Sequence, residues 1–287
     1  MVKESFFYVL ILASLAGCAP REGAEIRAKG DGFELRVDGK PTYIKGIGGT
    51  NRPDIAAANG ANACRTWGGD AKSIRKTSAL AAEHGMYVMQ GIWLPKEAEK
   101  YSDEKFKEEM RAFCRATAEE FKDDPNILVW GIGNEVELSG TNNGAVWGFI
   151  DELSRIIKSV DGRHLTSTVI AHNKSALDSI ARYAPSLDVV GINSYGPILQ
   201  VKDMVAASDY DGPYMITEWG PTGWWETSST EWKAPIEQTS EQKRRVYETR
   251  YNEAILGDPR CIGSFVFLWG QKEERTPTWF SMFVENG

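Results

Sequence analysis

Short apolar runs alternate with longer amphipathic segments along most of this chain. The runs are rich in β-branched and aromatic residues, as in 127–130 and 187–193, and they predict buried strands. Between them, apolar residues recur at helical spacing, as in 106–121 and 147–160, and they predict helices packed on a sheet. The pattern therefore predicts a regular alternation of strand and helix.

Eight strands are expected from this alternation, at 44–49, 63–67, 86–93, 127–130, 165–170, 187–193, 215–217 and 262–269. Eight strand–helix units in one compact domain predict an α/β fold, the (β/α)8 or TIM barrel. The alternative is an open doubly wound sheet, but neither G-x-G-x-x-G nor a P-loop follows the first strand. Only 18 residues follow Trp269, and they lack an amphipathic pattern. The last helix is therefore expected to be irregular or incomplete, or the sequence is a fragment.

A β-hairpin is expected before the barrel. Apolar and polar residues alternate over 33–37, Asp38-Gly39 follows, and a second run begins at Tyr43. An Asp-Gly pair between two such runs is a strong hairpin signal. Residues 18–30 are expected to be a tether, and residues 31–287 to form one folded domain.

The first 17 residues have the character of a secretory signal peptide. Lys3 precedes an apolar run over 6–16 that is too short to span a membrane, and small residues follow it. Leu15-Ala16-Gly17-Cys18 resembles the lipobox of bacterial lipoproteins, which implies cleavage before Cys18 and lipidation of its thiol. We therefore expect a secreted protein on the periplasmic or cell-surface face, held to a membrane by this lipid alone. The alternative is an ordinary signal peptide followed by a coincidental cysteine.

Composition narrows the range of partners. The chain has 287 residues and a formal net charge of −7, and its Lys and Arg residues form no stripe. A nucleic-acid-binding surface is therefore not expected, and a neutral substrate fits better. Cys64, Cys114 and Cys261 are odd in number and irregularly spaced, and the three histidines lack metal-binding spacing. Neither a disulfide framework nor a metal or other cofactor is expected.

Two of the predicted strands run directly into a glutamate. The stretch 129–137, VWGIGNEVE, carries an apolar run into Asn134-Glu135, and the stretch 214–221, YMITEWGP, does the same at Glu218. The two glutamates are 83 residues apart, or about three units of a barrel with about 31 residues per unit. Both then lie at carboxyl ends of strands, four and seven, on the rim where barrel enzymes hold their chemistry.

These two stretches resemble the acid/base and nucleophile motifs of clan A retaining glycoside hydrolases, most closely the catalytic TIM barrel of family 2 and next that of family 5. Together with further matches, the resemblance covers nearly all of the barrel. Family 2 proteins usually carry β-sandwich domains before the barrel, for which this sequence has no room. We therefore expect a barrel-only relative or an unassigned family of the clan. The further matches are Lys45-Gly46-Ile47, Asn62-Ala63-Cys64-Arg65-Thr66, Gly191-Ile192-Asn193-Ser194-Tyr195 and Trp269.

Glycosidic cleavage with retention of configuration needs two carboxyl groups about 5 to 5.5 Å apart. One attacks the anomeric carbon, and the other protonates the leaving oxygen. The resemblance implies that Glu218 is the nucleophile and Glu135 the acid/base. Because two carboxyls this close resist joint ionisation, Glu135 should keep its proton while Glu218 is charged.

The resemblance also implies roles for neighbouring residues. Arg65 would hold Glu218 ionised and oriented, and Tyr195 would donate a hydrogen bond to it. Asn134 would bond the sugar 2-hydroxyl, and Trp269 would form the apolar floor beneath the reacting sugar. The simpler alternatives are a strand-end ion pair for Arg65 and ordinary packing for Tyr195.

Tryptophans recur at the predicted strand ends, where indole faces could stack on sugar rings. For any one of them, structural packing is an equally good interpretation. Trp224 and Trp225 are candidates for substrate contact because they share a loop, whereas His172 is expected to be an ordinary loop histidine. Of the 10 tryptophans, those at or just after strand ends are Trp67, Trp93, Trp219, Trp224, Trp225 and Trp269.

These features predict a retaining β-glycoside hydrolase that acts on a neutral β-linked oligo- or polysaccharide. A glucanosyltransferase-like transglycosylase would share both glutamates and pass the sugar to a second sugar instead of water. A non-catalytic carbohydrate-binding surface lipoprotein is the alternative outside enzymes, and the presence of both glutamates speaks against it. The sugar, the linkage, endo or exo action and the oligomeric state stay open.

Overall fold

The computed structural model describes residues 23–140 and 142–284. The predicted signal peptide and Cys18 lie outside the described residues. No helix in these two ranges is long and apolar enough to span a membrane.

Three short antiparallel strands precede the barrel: β1 Ala24–Lys29, β2 Gly32–Val37 and β3 Lys40–Thr42. The predicted hairpin is confirmed, and its turn is formed by Asp38 (φ 48°) and Gly39 (φ 76°), two residue types that tolerate positive φ. The tether predicted for residues 18–30 is wrong over β1. The sequence AEIRAK has little strand preference of its own, so its strand state comes from full pairing with β2.

Eight parallel strands then close into a barrel, which confirms the predicted (β/α)8 fold and excludes the open sheet. Each strand pairs with the next along the chain, and the last pairs with the first. The strands are β4 Ile44–Gly48, β5 Ala63–Arg65, β6 Tyr87–Ile92, β7 Ile127–Asn134, β8 Leu165–Ile170, β9 Val189–Asn193, β10 Tyr214–Trp219 and β11 Cys261–Val266.

In the described ranges, one α-helix follows each strand from β4 to β10. Most of these helices begin at a side-chain cap: Asp70, Asp103, Asn143, Asn173 or Thr239 accepts a hydrogen bond from a backbone N–H of the first turn. The helices are α1 Pro53–Ala58, α2 Ala71–Glu83, α3 Glu104–Phe121, α4 Gly144–Lys158, α5 Lys174–Tyr183, α6 Val201–Ala206 and α7 Ser240–Arg250, which continues into a π-helical turn at Tyr251–Ile255.

Two apolar layers hold the barrel together, because strand residues point alternately inward and outward. Along β7, Val129 packs in the inner layer with Leu35 and Phe265, whereas Trp130 packs in the outer layer beneath the helices. The N-terminal sheet closes one end of the barrel. The Ala24 N–H of this sheet donates a hydrogen bond to the Arg163 carbonyl (2.8 Å), just before β8. The opposite end, at the carboxyl ends of the strands, is left for the site.

The segment after β11 is irregular, as the missing amphipathic pattern predicts. Strand β11 ends three residues earlier than expected, and no helix occurs in the described residues 267–284. The chain instead folds back on itself, since the Leu268 N–H donates to the Phe280 carbonyl (3.0 Å) and the Met282 N–H donates to the Leu268 carbonyl (3.2 Å). Trp279 and Phe280 are buried by this return.

Candidate active site

A cavity of about 990 Å³ opens at the carboxyl ends of the barrel strands. Glu135 directly follows β7, and Glu218 is the second-last residue of β10, so parallel strands bring both to the same rim. Both predicted carboxylates line this one cavity. Other residues that line it are Trp67, Trp93, Asn134, Leu138, Ala171, His172, Asn193, Ser194, Tyr195, Trp225, Glu226, Phe267, Leu268, Lys272, Glu274 and Phe280.

The Glu218 carboxylate is held by three donors from three different loops or strands. Arg65 Nη1 (3.0 Å) and Trp67 Nε1 (2.7 Å) both donate to Oε1, and the Tyr195 hydroxyl donates to Oε2 (2.9 Å). The contacts expected of Arg65 and Tyr195 are therefore present. The Trp67 bond was not predicted, because the sequence indicates only that Trp67 is an aromatic residue at a strand end.

Burial and these donors act in opposite directions on Glu218. Burial raises the pKa of its carboxyl, and the nearby Glu135 adds to the rise, while Arg65, Trp67 and Tyr195 each lower it. Burial also raises the pKa of Tyr195 well above 10, so its hydroxyl stays a donor at neutral pH. All three partners of the carboxylate are donors, an environment suited to its charged form.

Arg65 joins the two halves of the site. Only 2% of its surface is exposed, and beyond Glu218 its Nη1 donates to the Thr217 carbonyl (2.7 Å). Its Nη2 donates to Asn134 Oδ1 (2.6 Å), which also accepts from Asn193 Nδ2 (3.3 Å). Because Asn134 Oδ1 accepts both of these hydrogen bonds, its Nδ2 amide group is the part of the side chain that can donate to a ligand. Its bond to a sugar 2-hydroxyl stays a prediction.

Glu135 sits in a backbone conformation that disfavours a side chain. Its φ and ψ are 51° and 40°, in the left-handed region, and its N–H donates to the Val169 carbonyl (2.8 Å). Such a residue stores about 1–3 kcal/mol of strain and persists only where its surroundings impose it. Asn193 Nδ2 donates to Glu135 Oε1 (3.0 Å), and Lys96 Nζ lies 3.4 Å from Oε2. Sequence reasoning assigned no role to Asn193 or Lys96.

Glu137 anchors the turn that carries Glu135. It is 4% exposed, and its Oε1 accepts a hydrogen bond from the Ala171 N–H (2.7 Å) at the end of β8. Its Oε2 is buried and has no hydrogen-bond partner in the part of the chain that the structure describes. Burial raises the pKa of this carboxyl to about 7.

Two of the predicted aromatic contacts are wrong. Trp269 does not line the cavity, because β11 ends at Val266 and the chain has turned by residue 269. The Trp269 indole packs edge-on against Phe283 (ring centroids 5.1 Å apart), while Phe267 and Leu268 line the cavity instead. Trp224 does not line the cavity either, and the Arg275 guanidinium lies over its indole, 4.0 Å from the ring centroid.

Trp225 is placed as predicted, and three further cavity residues were not assigned from the sequence. Trp225 is 53% exposed, lines the cavity and meets the Tyr195 ring edge-on at 5.5 Å. His172, expected to be an ordinary loop residue, lines the cavity as well, and its Nδ1 pairs with Ser194 Oγ (2.9 Å). Glu226 and Lys272 come from loops whose positions no local pattern reveals.

Within residues 23–140 and 142–284, no group of three or more His, Cys, Asp or Glu side chains is placed to hold a metal ion. The three described cysteines are buried and unpaired. Burial raises the pKa of each thiol to about 12, which makes them inert structural residues.

The known proteins to which this chain is similar are glycoside hydrolases. No family model matches the sequence. The chain is similar to mannan endo-1,4-β-mannosidase F of Aspergillus clavatus, with 23% identity over 56% of this chain and 50% of that protein. It is also similar to a probable mannan endo-1,4-β-mannosidase F of Aspergillus flavus, with 30% identity over 25% of this chain and 15% of that protein. The chain therefore spans half or less of the length of these relatives.

Solved structures confirm the barrel. A GH2 β-galacturonidase from Eisenbergiella tayi superposes with a TM-score of 0.66 and 19% identity, covering 90% of this chain and 48% of that one. The β-glucuronidase of Ruminococcus gnavus does so with a TM-score of 0.68 and 15% identity, covering 92% and 50%. Sequence relatives and structural neighbours alike are glycoside hydrolases, which supports at a coarse level the clan resemblance carried by the motifs.

Proposed function

We propose that this protein is a retaining β-glycoside hydrolase that works by double displacement. The observation that carries the proposal is the setting of Glu218. Its carboxylate receives hydrogen bonds from Arg65, Trp67 and Tyr195 in the cavity that it shares with Glu135. A carboxylate fixed by three donors beside a second carboxyl is what nucleophilic attack on an anomeric carbon requires.

In the first step, Glu218 attacks the anomeric carbon while Glu135 gives its proton to the departing glycosidic oxygen. The carbon–oxygen bond breaks as the glycosyl ester to Glu218 forms, and Glu135 is left charged. In the second step, Glu135 takes a proton from water, which attacks the same carbon and releases Glu218. Two inversions give net retention of configuration.

Asn193 and Lys96 support the charged state that Glu135 reaches after the first step. Both donate toward its oxygens, so the carboxylate that forms in the first step has partners already in place. Arg65 stays bonded to Glu218 Oε1, and it stabilises the carboxylate before attack and after release. Asn134 is the candidate for the sugar 2-hydroxyl.

We propose a neutral β-linked glycan as the substrate, with β-1,4-mannan as the first polymer to test because the sequence relatives are named for it. The structural neighbours are named for uronic acids, which need a cation to receive the carboxylate. Among the described residues, the one lysine that lines the cavity is Lys272, which is paired with Glu274, and Lys96, outside the lining, is paired with Glu135. This pairing favours a neutral sugar.

The proposal is tested by trapping the intermediate. A 2-deoxy-2-fluoro β-glycoside with a good leaving group should add one glycosyl unit to the protein, and peptide mapping should find it on Glu218. Glu218→Gln should fold normally, take up no label and lose turnover, because an amide cannot attack the anomeric carbon. Turnover of β-mannan or aryl β-glycosides by Glu218→Gln at near the normal rate would refute the assignment.

We also propose that the mature protein is lipid-anchored at Cys18, on the lipobox resemblance alone. Expression in a Gram-negative host should leave the protein in the membrane fraction. Because buried acyl chains contribute about 0.8 kcal/mol per CH₂, Cys18→Ser should release it. Unchanged membrane association of the Ser variant would contradict the anchor.

A further inference from the structure

We propose that Glu226, together with Trp225 and His172, forms a subsite for an uncharged sugar unit adjacent to the reacting one, and that the Glu226 carboxylate excludes units with a negative charge. The inference rests on the proposed function, which it extends by naming what a neighbouring subsite selects. None of these three residues is needed for the double displacement itself.

Glu226 is held in place by the backbone of two loops. Its Oε2 accepts a hydrogen bond from the Gly223 N–H (2.8 Å) in its own loop and from the Gly196 N–H (2.8 Å) in the loop after β9. The carboxylate lines the cavity, and Oε1 has no hydrogen-bond partner within the described chain. One oxygen is therefore structural, and the other is a fixed acceptor available to a ligand.

An indole lies beside this acceptor. Trp225 is half exposed, and its ring meets Tyr195, whose hydroxyl is 2.9 Å from Glu218 Oε2. The ring of Tyr195 therefore lies between the Trp225 indole and the nucleophile Glu218. An indole face for the C–H face of a sugar, with a carboxylate oxygen for its hydroxyls, is a combination that recognises a sugar ring.

His172 forms another part of the cavity wall. Burial lowers its pKa, so the imidazole is neutral at pH 7, and the charge of Glu226 offsets this only in part. Its Nδ1 is engaged by Ser194, while Nε2 has no protein partner among residues 23–140 and 142–284. The wall therefore offers a neutral polar group and no positive charge.

The selectivity follows from how the charges in the cavity are paired. Glu218 has Arg65 at 3.0 Å, Glu135 has Lys96 at 3.4 Å, and Glu274 contacts Lys272. Glu226 alone among the carboxylates lining the described cavity has no side-chain ion pair. Its bonds come from neutral backbone groups, so its charge is left to act on the ligand.

One further cation lies near Glu226 without neutralising it. Arg250 interacts electrostatically with Glu226. Its guanidinium, however, donates hydrogen bonds to the Gly220 carbonyl and to Thr222 Oγ1 (3.0 Å), and it does not line the cavity. A substrate carboxylate in this subsite would meet the charge of Glu226, because Lys272, the lysine that lines the described cavity, is paired with Glu274. Like charges brought together in one cavity disfavour binding.

The test compares three substrates: 4-nitrophenyl β-mannoside, the β-1,4-mannobioside, and the mannobioside oxidised at C6 of its terminal unit. Glu226→Gln keeps the size of the side chain and one carbonyl oxygen for the two backbone amides, and it removes the charge. We expect kcat/KM for the mannobioside to fall about tenfold, the scale of a hydrogen bond to a charged group, and the value for the mannoside to stay within about twofold. The preference for the neutral over the oxidised mannobioside should also fall about tenfold.

Two control variants separate this role from a structural one. Glu231→Gln, an exposed residue of the same loop that does not line the cavity, should change none of the three values. Trp225→Ala should weaken both mannobiosides equally, because stacking does not sense the C6 charge. Equal losses on all substrates in Glu226→Gln, or an unchanged preference for the neutral mannobioside, would overturn the proposal.

A binding measurement tests the subsite independently of the catalytic proposal. Calorimetric titration of Glu218→Gln and of Glu218→Gln/Glu226→Gln with β-1,4-mannobiose and its C6-oxidised form requires no turnover. We expect the ratio of the two Kd values to fall about tenfold in the double variant. A ratio that does not change would contradict the subsite even in an active enzyme, whereas absent fluoro-sugar labelling with the expected ratio would contradict only the catalytic assignment.

Discussion

Replacing Glu135 by glycine should give a more stable protein than replacing it by alanine, although glycine usually costs stability. Both substitutions remove the same side-chain contacts with Asn193 and Lys96, so these losses cancel in the comparison. What differs is the Cβ atom, which alanine keeps in a backbone held at φ 51° and ψ 40°.

The size of the difference follows from two opposing effects. A Cβ in the left-handed region costs about 1–2 kcal/mol. Glycine loses about 0.4–1 kcal/mol more than alanine through the greater freedom of its unfolded chain. The balance favours Glu135→Gly over Glu135→Ala by about 0.5–1 kcal/mol, or about 1–4 °C in Tm for a domain of this size.

Urea unfolding of the two variants, with m-values fitted separately, measures this difference. The matched control is Glu231, an exposed residue that is not among the positions with positive φ. At that control position the order should reverse, with alanine more stable than glycine by about 0.4–1 kcal/mol. If Glu135→Gly were the less stable variant at position 135 as well, the backbone there would not be strained, and the argument for an imposed acid/base geometry would fail.

Two further predictions concern the groups around the carboxylates. Trp67→Phe keeps the ring but removes the N–H that donates to Glu218 Oε1, so kcat/KM should fall about 10- to 100-fold. Because that donor lowers the pKa of Glu218, which must be ionised to attack, the acid limb of the kcat/KM profile should move to higher pH; an unmoved limb would show that the indole only packs. Burial raises the pKa of Glu137 from 4.5 to about 7, so between these values the folded state holds a proton that the unfolded state has released, and stability should fall as pH rises. Glu137→Gln should remove this slope, worth up to about 3 kcal/mol across the window, and a slope that persisted in unfolding experiments would assign it to another group.

The fold and the two carboxylates could be predicted because their signals are local. An apolar run that ends in Asn134-Glu135 predicts a buried strand with a carboxyl group at its end, and the same pattern holds for Glu218. Parallel strands then bring both ends to one rim, whatever the loops do. Nothing beyond strand order was needed for that step.

The aromatic lining could not be predicted because it depends on where the chain turns after each strand. Trp269 sits three residues beyond β11, and a turn there carries its ring away from the cavity and brings Phe267 inward. Of the neighbours Trp224 and Trp225, the second lines the cavity and the first does not, which spacing along the sequence cannot reveal. Strand β1 escaped prediction for a related reason, since its pairing with β2, not its composition, makes it a strand.

The polar network was missed because its bonds join residues far apart in sequence. Asn193 reaches Glu135 across 58 positions, and Trp67 reaches Glu218 across 151. Glu226 is tied to Gly196 by a loop-to-loop contact that leaves no periodic pattern. Each of these residue types was visible in the sequence, but its partner was set only by barrel closure.

The most direct test of the central claim uses Glu135→Ala, a dinitrophenyl β-glycoside and sodium azide. General acid catalysis contributes about 10²- to 10⁴-fold, so the variant should nearly lose cleavage of natural glycosidic bonds, whose leaving oxygens need a proton. The dinitrophenyl group leaves without one, and the glycosyl ester on Glu218 should accumulate because the second step lacks its base. Azide needs no base, so it should restore turnover.

The configuration of the azide product distinguishes double from single displacement. Double displacement through Glu218 predicts the β-glycosyl azide, with configuration retained, as NMR of the product will show. An α-glycosyl azide would show single displacement and contradict the retaining mechanism, and uniform loss on all substrates without azide rescue would contradict the acid/base role of Glu135.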